Sequence, residues 1–343
     1  MIWTVKRLHF IACIVSGSLV AASSAIADKK PQQDKTVRPI AGPRATIVRT
    51  TPLYVAPDTS SQKVDRIQEG RELVVAETSG PWVRVFANTD VEEVDEHDAP
   101  VFGQEAAPPP VSGWMQARGV VREETPNGDQ ILMGEAASLE ILAEDARGPR
   151  NAGQTARLLY RRVVEFYPTS PLAPEAAWRA ADIRWQFEKI DASHRPSAKE
   201  KEAYLREQLY EDEMKKIIKL WPHSRQADLA AFTLIDNKLC GDWQGQPKCP
   251  DKESSYFEKY ADEHPDGPRT AQALYQAVYR QGVLGDMYGA DGNDKKKDAA
   301  HARAKALAGR LKDKFPASDY TARAAALVYK FEQGLAIYGS DPE

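Results

Sequence analysis

Four dipeptides of one kind constrain this chain most: Tyr167-Pro168, Trp221-Pro222, His264-Pro265 and Phe315-Pro316. Before each runs an apolar stripe at i, i+3, i+4, i+7, as in Tyr160, Val163, Val164, Tyr167 and Met214, Ile217, Ile218, Trp221. That is the period of a helix with one buried face. Proline disfavours helical geometry in the residue before it, so each pair is expected to end a helix. Two residues on stand Ser170, Ser224, Gly267 and Ser318, expected to cap the start of a second helix. Pro171 suits the first helical position there. Eight residues after each proline comes an alanine, at Ala176, Ala230, Ala273 and Ala324. A small side chain at that register lets the second helix lie close on the first. The pattern predicts stacked helical hairpins from Gly134 onward, burying a shared core that no single hairpin could form.

The segment before these repeats has another period. From Ala45, short runs rich in β-branched and aromatic residues (TIVR, PLYVAP, KVDRI, RELVVAE, PWVRVFA, then GWMQARGVV) are separated by turns at Asp58, Gly70 and Gly80. Five or six strands in so short a stretch predict a small closed or nearly closed barrel over 44–122. Within it, 87–112 is an insertion with seven carboxylates, no Lys or Arg, and Pro108-Pro109-Pro110. Low hydrophobicity and self-repulsion predict an extended, solvated loop. Asp95-Glu96-His97-Asp98 could suggest a cation site, but consecutive residues cannot all converge on one ion.

Residues 1–27 read as a secretory signal. Lys6 and Arg7 precede an apolar stretch from Leu8 to Val20, and Ala25-Ile26-Ala27 forms the small-x-small pattern of a cleavage site. An uncleaved anchor is disfavoured by Ser16, Gly17, Ser18, Ser23 and Ser24, and lipidation at Cys13 by the short apolar run before it. Residues 28–43, polar and proline-bearing, read as a flexible tether. Cleavage removes two positive charges, taking the net charge from −4 to −6. That balance opposes a general nucleic-acid binder. With 42% hydrophobic and 28% charged residues, the chain can bury a core. No apolar run long enough to span a bilayer follows the signal, so no transmembrane span is expected in the mature chain. Cleavage also leaves Cys240 and Cys249 as an even pair in an exported chain, around the turn-rich segment CGDWQGQPKC. A disulfide is expected, because two thiols are too few ligands for a metal.

The stretch LYVAPDTSSQKVDRIQEGRELVVAE, then PWVRV, then SGWMQARGVV, resembles the bacterial SH3-like domain. Leu53, Val55, Gly70, Trp82, Val85, Gly113 and Trp114 fall at the family's positions, while Ala56 replaces the usual Arg and Met115 the final Val. The phrases YPTSPLAPEAAW and FPASDYTARAAALVY resemble the tetratricopeptide-like repeats of envelope proteins, of the type found in the outer-membrane assembly lipoprotein and the Tol–Pal accessory protein. The spacings here of 54, 43 and 51 residues exceed the about 34 of the plain repeat. The resemblance implies an α+β multidomain chain, an SH3-like barrel followed by an α-helical repeat superhelix over 123–343. It implies a periplasmic or envelope location and a scaffold that docks protein segments without catalysis. SH3-like modules often bind cell wall, which makes peptidoglycan a second expected partner.

Catalytic motifs are missing: the chain has no His-Glu-x-x-His, Gly-x-Ser-x-Gly, Walker loop, Gly-x-Gly-x-x-Gly or Cys-x-x-Cys. No cofactor or metal is expected. His194, His223 and His301 stand singly among polar residues and are expected at the surface; His264, in the register of Tyr167 and Trp221, is expected to pack. Asp291-Gly292-Asn293-Asp294 reads as a turn, because the twelfth position of a calcium loop is Ala302. Five aromatic residues are the candidate binding surface. Trp82 and Trp114 lie between core packing and a ligand groove. Tyr54, alternating with Leu53 and Val55, is expected to face outward. Trp178 and Trp185, seven apart, share a helix face that either packs or meets a partner.

Overall fold

The computed structural model describes residues 42–91 and 109–338. The expected signal, nearly all of the tether and Asp95–Asp98 lie outside the described residues. Seven strands are described: β1 (Arg44–Ile47), β2 (Thr51–Tyr54), β3 (Lys63–Ile67), β4 (Glu72–Ser79), β5 (Trp82–Ala87), β6 (Val111–Gln116) and β7 (Val120–Arg122). They form one antiparallel sheet in the order β3-β2-β6-β5-β4-β1-β7. Among the described residues β3 and β7 remain edges, so the expected closed barrel is corrected to an open sheet. Alternation sends one face inward, where Ile47, Leu53, Ile67, Leu73, Val83, Val85 and Met115 are fully buried.

Nine helices follow among the described residues: α1 (Gly128–Glu144), α2 (Ala152–Phe166), α3 (Ala173–Ser193), α4 (Asp212–Leu220), α5 (Arg225–Thr233), α6 (Lys248–Glu263), α7 (Thr270–Ala290), α8 (Asp294–Lys314) and α9 (Asp319–Glu332). The chain is thus α+β, with a helical C-terminal region that begins at Gly128, earlier than Gly134. The four X-Pro pairs end α2, α4, α6 and α8. Tyr167, Trp221, His264 and Phe315 adopt one conformation, φ from −126 to −129° and ψ from 56 to 62°. Each donates its N–H to the carbonyl four residues back, closing the last helical turn before the proline.

The residue two after each proline has a different common role from the one expected. Ser170, Ser224, Gly267 and Ser318 all donate N–H to the carbonyl of the residue before the proline, at 2.9–3.2 Å. Only Ser224 and Ser318 also cap the next helix, accepting from Ala227 N and Tyr320 N. The helix α3 starts at Ala173 and α7 at Thr270, so Pro171 and Gly267 stay in the turn. Ser170 Oγ instead accepts from Leu172 N and donates to Asp129. Ala176, Ala230, Ala273 and Ala324 are all buried, at most 1% exposed, as the close approach of paired helices requires.

Sheet and helices meet at α2. Gly70, at φ +78°, turns β3 into β4 so closely over α2 that a β-carbon there would lie 2.7 Å from Leu158 Cβ. Into this junction projects Arg162, 1% exposed. Its Nε donates to Gly70 O at 3.0 Å, one Nη to Asp90 at 2.7 Å and the other to Glu165. Arg71 also reaches Asp90, at 3.3 Å, and Arg44 pairs with Glu72. Burial opposes the Arg162 charge, but Glu165, Asp90 and Glu72 outweigh it and hold the guanidinium above its usual range. Asp90 therefore corrects the expectation of a solvated acidic loop beginning at Ala87. It is the buried counter-ion of an arginine 72 residues away. Val121 adds an apolar contact to the α1–α2 core.

Candidate functional site

Cys240 and Cys249 form a disulfide, joining the loop after α5 to the first turn of α6. Beside it lies the carboxylate of Glu253, 1% exposed. It accepts from Cys240 N at 2.8 Å, Trp243 Nε1 at 3.1 Å and Arg280 Nε at 2.8 Å. Trp243 stacks on Tyr338 in turn, and Ile337 is buried against Gly282. The loop, α6, α7 and the segment after α9 are thereby held together.

On the sheet, Tyr54 pairs with Trp114 across β2 and β6, and its ring meets Trp82 edge-on at 5.6 Å. The three share the outer face, opposite Leu53, Val83 and Met115. Alternation is as expected, but Tyr54 is only 7% exposed, because neighbouring aromatic side chains cover it. Val55 is the outward residue, at 60%. Trp82 and Trp114 are half-buried.

Trp178 and Trp185 part company. Trp185 is buried and donates Nε1 to Asp236 at 3.2 Å, while Trp178 is half-buried and its Nε1, out of solvent, has no acceptor. Both border a cavity of about 400 Å³ that touches α3, α5, α7 and α9, the second helix after each X-Pro turn. Its aromatic lining includes Trp178, Phe232 and Tyr320, and its polar lining Asp182, Gln272, Gln276, Arg269 and Arg323.

The register counted from each proline puts these residues there. Leu229, Gln272 and Arg323 are each seven residues past their proline, Thr233 and Gln276 eleven, Asp182 and Asp236 fourteen. Because stacked hairpins share an orientation, equivalent positions reach one groove. This signal was present in the sequence, but the aromatic residues alone do not reveal it.

Charges in the groove are unevenly satisfied. Asp236 accepts from Lys189 at 3.2 Å as well as Trp185, and Arg280 is paired to Glu253. Burial pushes the Asp182 carboxyl above its ordinary range, opposed by Gln186 and with Glu140 adding to the rise. Arg269 donates to Gln272 Oε1 at 3.0 Å and forms no ion pair among the described residues. Arg323 lies over the Tyr275 ring, 4.3 Å from its centroid.

Of the histidines, His264 packs on Tyr260 and meets Asp228 at 2.7 Å. His301 is not the surface residue expected: it stacks on Phe331 at 4.3 Å and fills the space beside Gly285, where a β-carbon would collide with it. Asp291–Asp294 is a turn in which Asn293 caps α8. No group of three or more His, Cys, Asp or Glu among the described residues could hold a metal ion. No described helix is long and apolar enough to cross a membrane. No protein-family model matches the chain, and no curated protein matches it either.

Proposed function

We propose that this chain is an exported, non-enzymatic scaffold of the cell envelope that docks a protein segment along its helical repeats. In this reading the sheet is an SH3-like accessory module and the helices a tetratricopeptide-like superhelix. One observation carries it: a single groove is bordered by the second helix of all four hairpins. A groove bridging successive repeats suits an extended chain, which makes many modest contacts along its length. A photo-crosslinking residue at Gln276, in the native envelope, should capture one protein. The same residue at exposed Ser138 on α1 should not, and Thr233→Trp, filling the groove, should abolish capture. Identical products at both positions, insensitive to Thr233→Trp, would reject the docking role.

A second reading makes the sheet a cell-wall-binding module, supported by the two half-exposed tryptophans, Trp82 and Trp114, on one face. It requires the full chain to co-sediment with purified peptidoglycan and a Trp82→Ala/Trp114→Ala variant to stay in solution.

A further inference from the structure

We infer that the groove across α3, α5, α7 and α9 selects an acidic polypeptide segment in extended conformation. This rests on the docking role proposed above and adds the chemistry of the occupant. The groove offers donors and has few acceptors left. Gln272 and Gln276 have their carbonyl oxygens occupied by Arg269 and Arg280, which leaves their amide N–H₂ groups for a ligand. Trp185 and Lys189 both donate to Asp236 Oδ2, and Gln186 donates to Asp182 Oδ1. A complementary ligand brings carbonyl and carboxylate oxygens.

Spacing points to a peptide. Gln272 and Gln276 are one helical turn apart, about 6 Å along the axis. An extended chain repeats every two residues in about 6.6–6.8 Å, so successive carbonyls on one side can meet the two amides. Charge points to acidity. Four basic and two acidic side chains border the groove in a chain whose net charge is −4. Arg269 stands at the entrance of α7 without a carboxylate partner, and Arg323 adds a second positive charge on α9. Arg280 is paired to Glu253 and Lys189 to Asp236, which leaves Arg269 as a cation without a carboxylate partner among the described residues. That fits a carboxylate but gives no track for a phosphodiester backbone.

The test uses the full chain and fluorescein-labelled octapeptides in which Leu alternates with Glu, Gln or Lys, followed by anisotropy. The Glu peptide should bind saturably. The Gln peptide, the Lys peptide and the Arg269→Gln variant should each weaken binding at least about tenfold, the loss of one charge-assisted hydrogen bond. Arg269 is exposed, so its variant should unfold at the wild-type urea midpoint. If the Gln or Lys peptide binds as tightly as the Glu peptide and Thr233→Trp abolishes it, acidity is wrong and docking stands. If no peptide binds, the inference falls, while crosslinking at Gln276 still judges the docking role separately. Displacement of the Glu peptide by decauridylate at equal concentration would make the groove a nucleic-acid site and overturn the inference.

Discussion

Where the sheet meets α2, three arginines and three carboxylates converge: Arg44, Arg71, Arg162, Glu72, Asp90 and Glu165. Where helix meets helix within the repeats, four buried alanines mark the seam. The contrast follows from what each junction must specify. Apolar contact is non-directional, so the same seam recurs although the repeats are 54, 43 and 51 residues apart. A sheet and a helix are unlike surfaces without a shared repeat, and charge-assisted hydrogen bonds have direction. Arg162, with Gly70, Asp90 and Glu165 each taking an N–H, can be satisfied in one orientation of the sheet.

The strongest way to break this contrast is Arg162→Ala. It leaves Asp90 buried without its main counter-charge, while Glu72 keeps Arg44, and is expected to cost about 3–5 kcal/mol in urea unfolding. A loss below about 1 kcal/mol would mean that the ionic junction is no more demanding than an ordinary surface. Next in size is Cys240→Ser, expected to cost about 2–3 kcal/mol through the lost cross-link. Amide exchange should rise around 238–253 and stay unchanged in the sheet. Faster exchange in β4 and β5 would show that the two regions are coupled more tightly than the contrast allows.

The smallest effect sharpens the repeat side. His301 is held below its usual pKa by burial and then by Lys297, against Asp286 and Asp298, with Lys305 adding to the depression. The unfolded chain therefore takes up this proton first as pH falls below about 6.5. Stability from the neutral ring is full above that value and is lost as pH falls through the depressed folded value. His301→Leu should flatten that limb of the wild-type pH profile. Parallel profiles for the two proteins would show that the imidazole contributes nothing to the seam between α7, α8 and α9.

What could be read beforehand was local. Proline, the i, i+4 stripes and the alanine register act within one or two turns, so the ends of α2, α4, α6 and α8 were legible, as was the short Cys240–Cys249 pairing. Asp90 was not, because its partner Arg162 is remote in sequence and nothing around either residue signals burial. Tyr54 was half-legible: alternation gave its face, whereas its cover comes from Trp82 and neighbouring strands. The groove lay between these cases. Its residues are periodic, but which of the helix faces lines a cavity depends on how hairpins rotate against one another. Trp185 and Trp178, on one helix face, accordingly divide between core and groove.

Glu253 has a consequence for how the disulfide is made. Its carboxylate, four residues beyond Cys249 on α6, holds Cys240 N and Trp243 Nε1 by hydrogen bonds that involve no sulfur. With both cysteines reduced, those bonds keep the two thiols neighbours, and closing the bridge is an intramolecular step at high effective concentration. The carboxylate is a jig for oxidation: Glu253→Ala, which removes the acceptor of both bonds, should slow air re-oxidation of the reduced, folded chain, while the bridge, once formed, no longer depends on it.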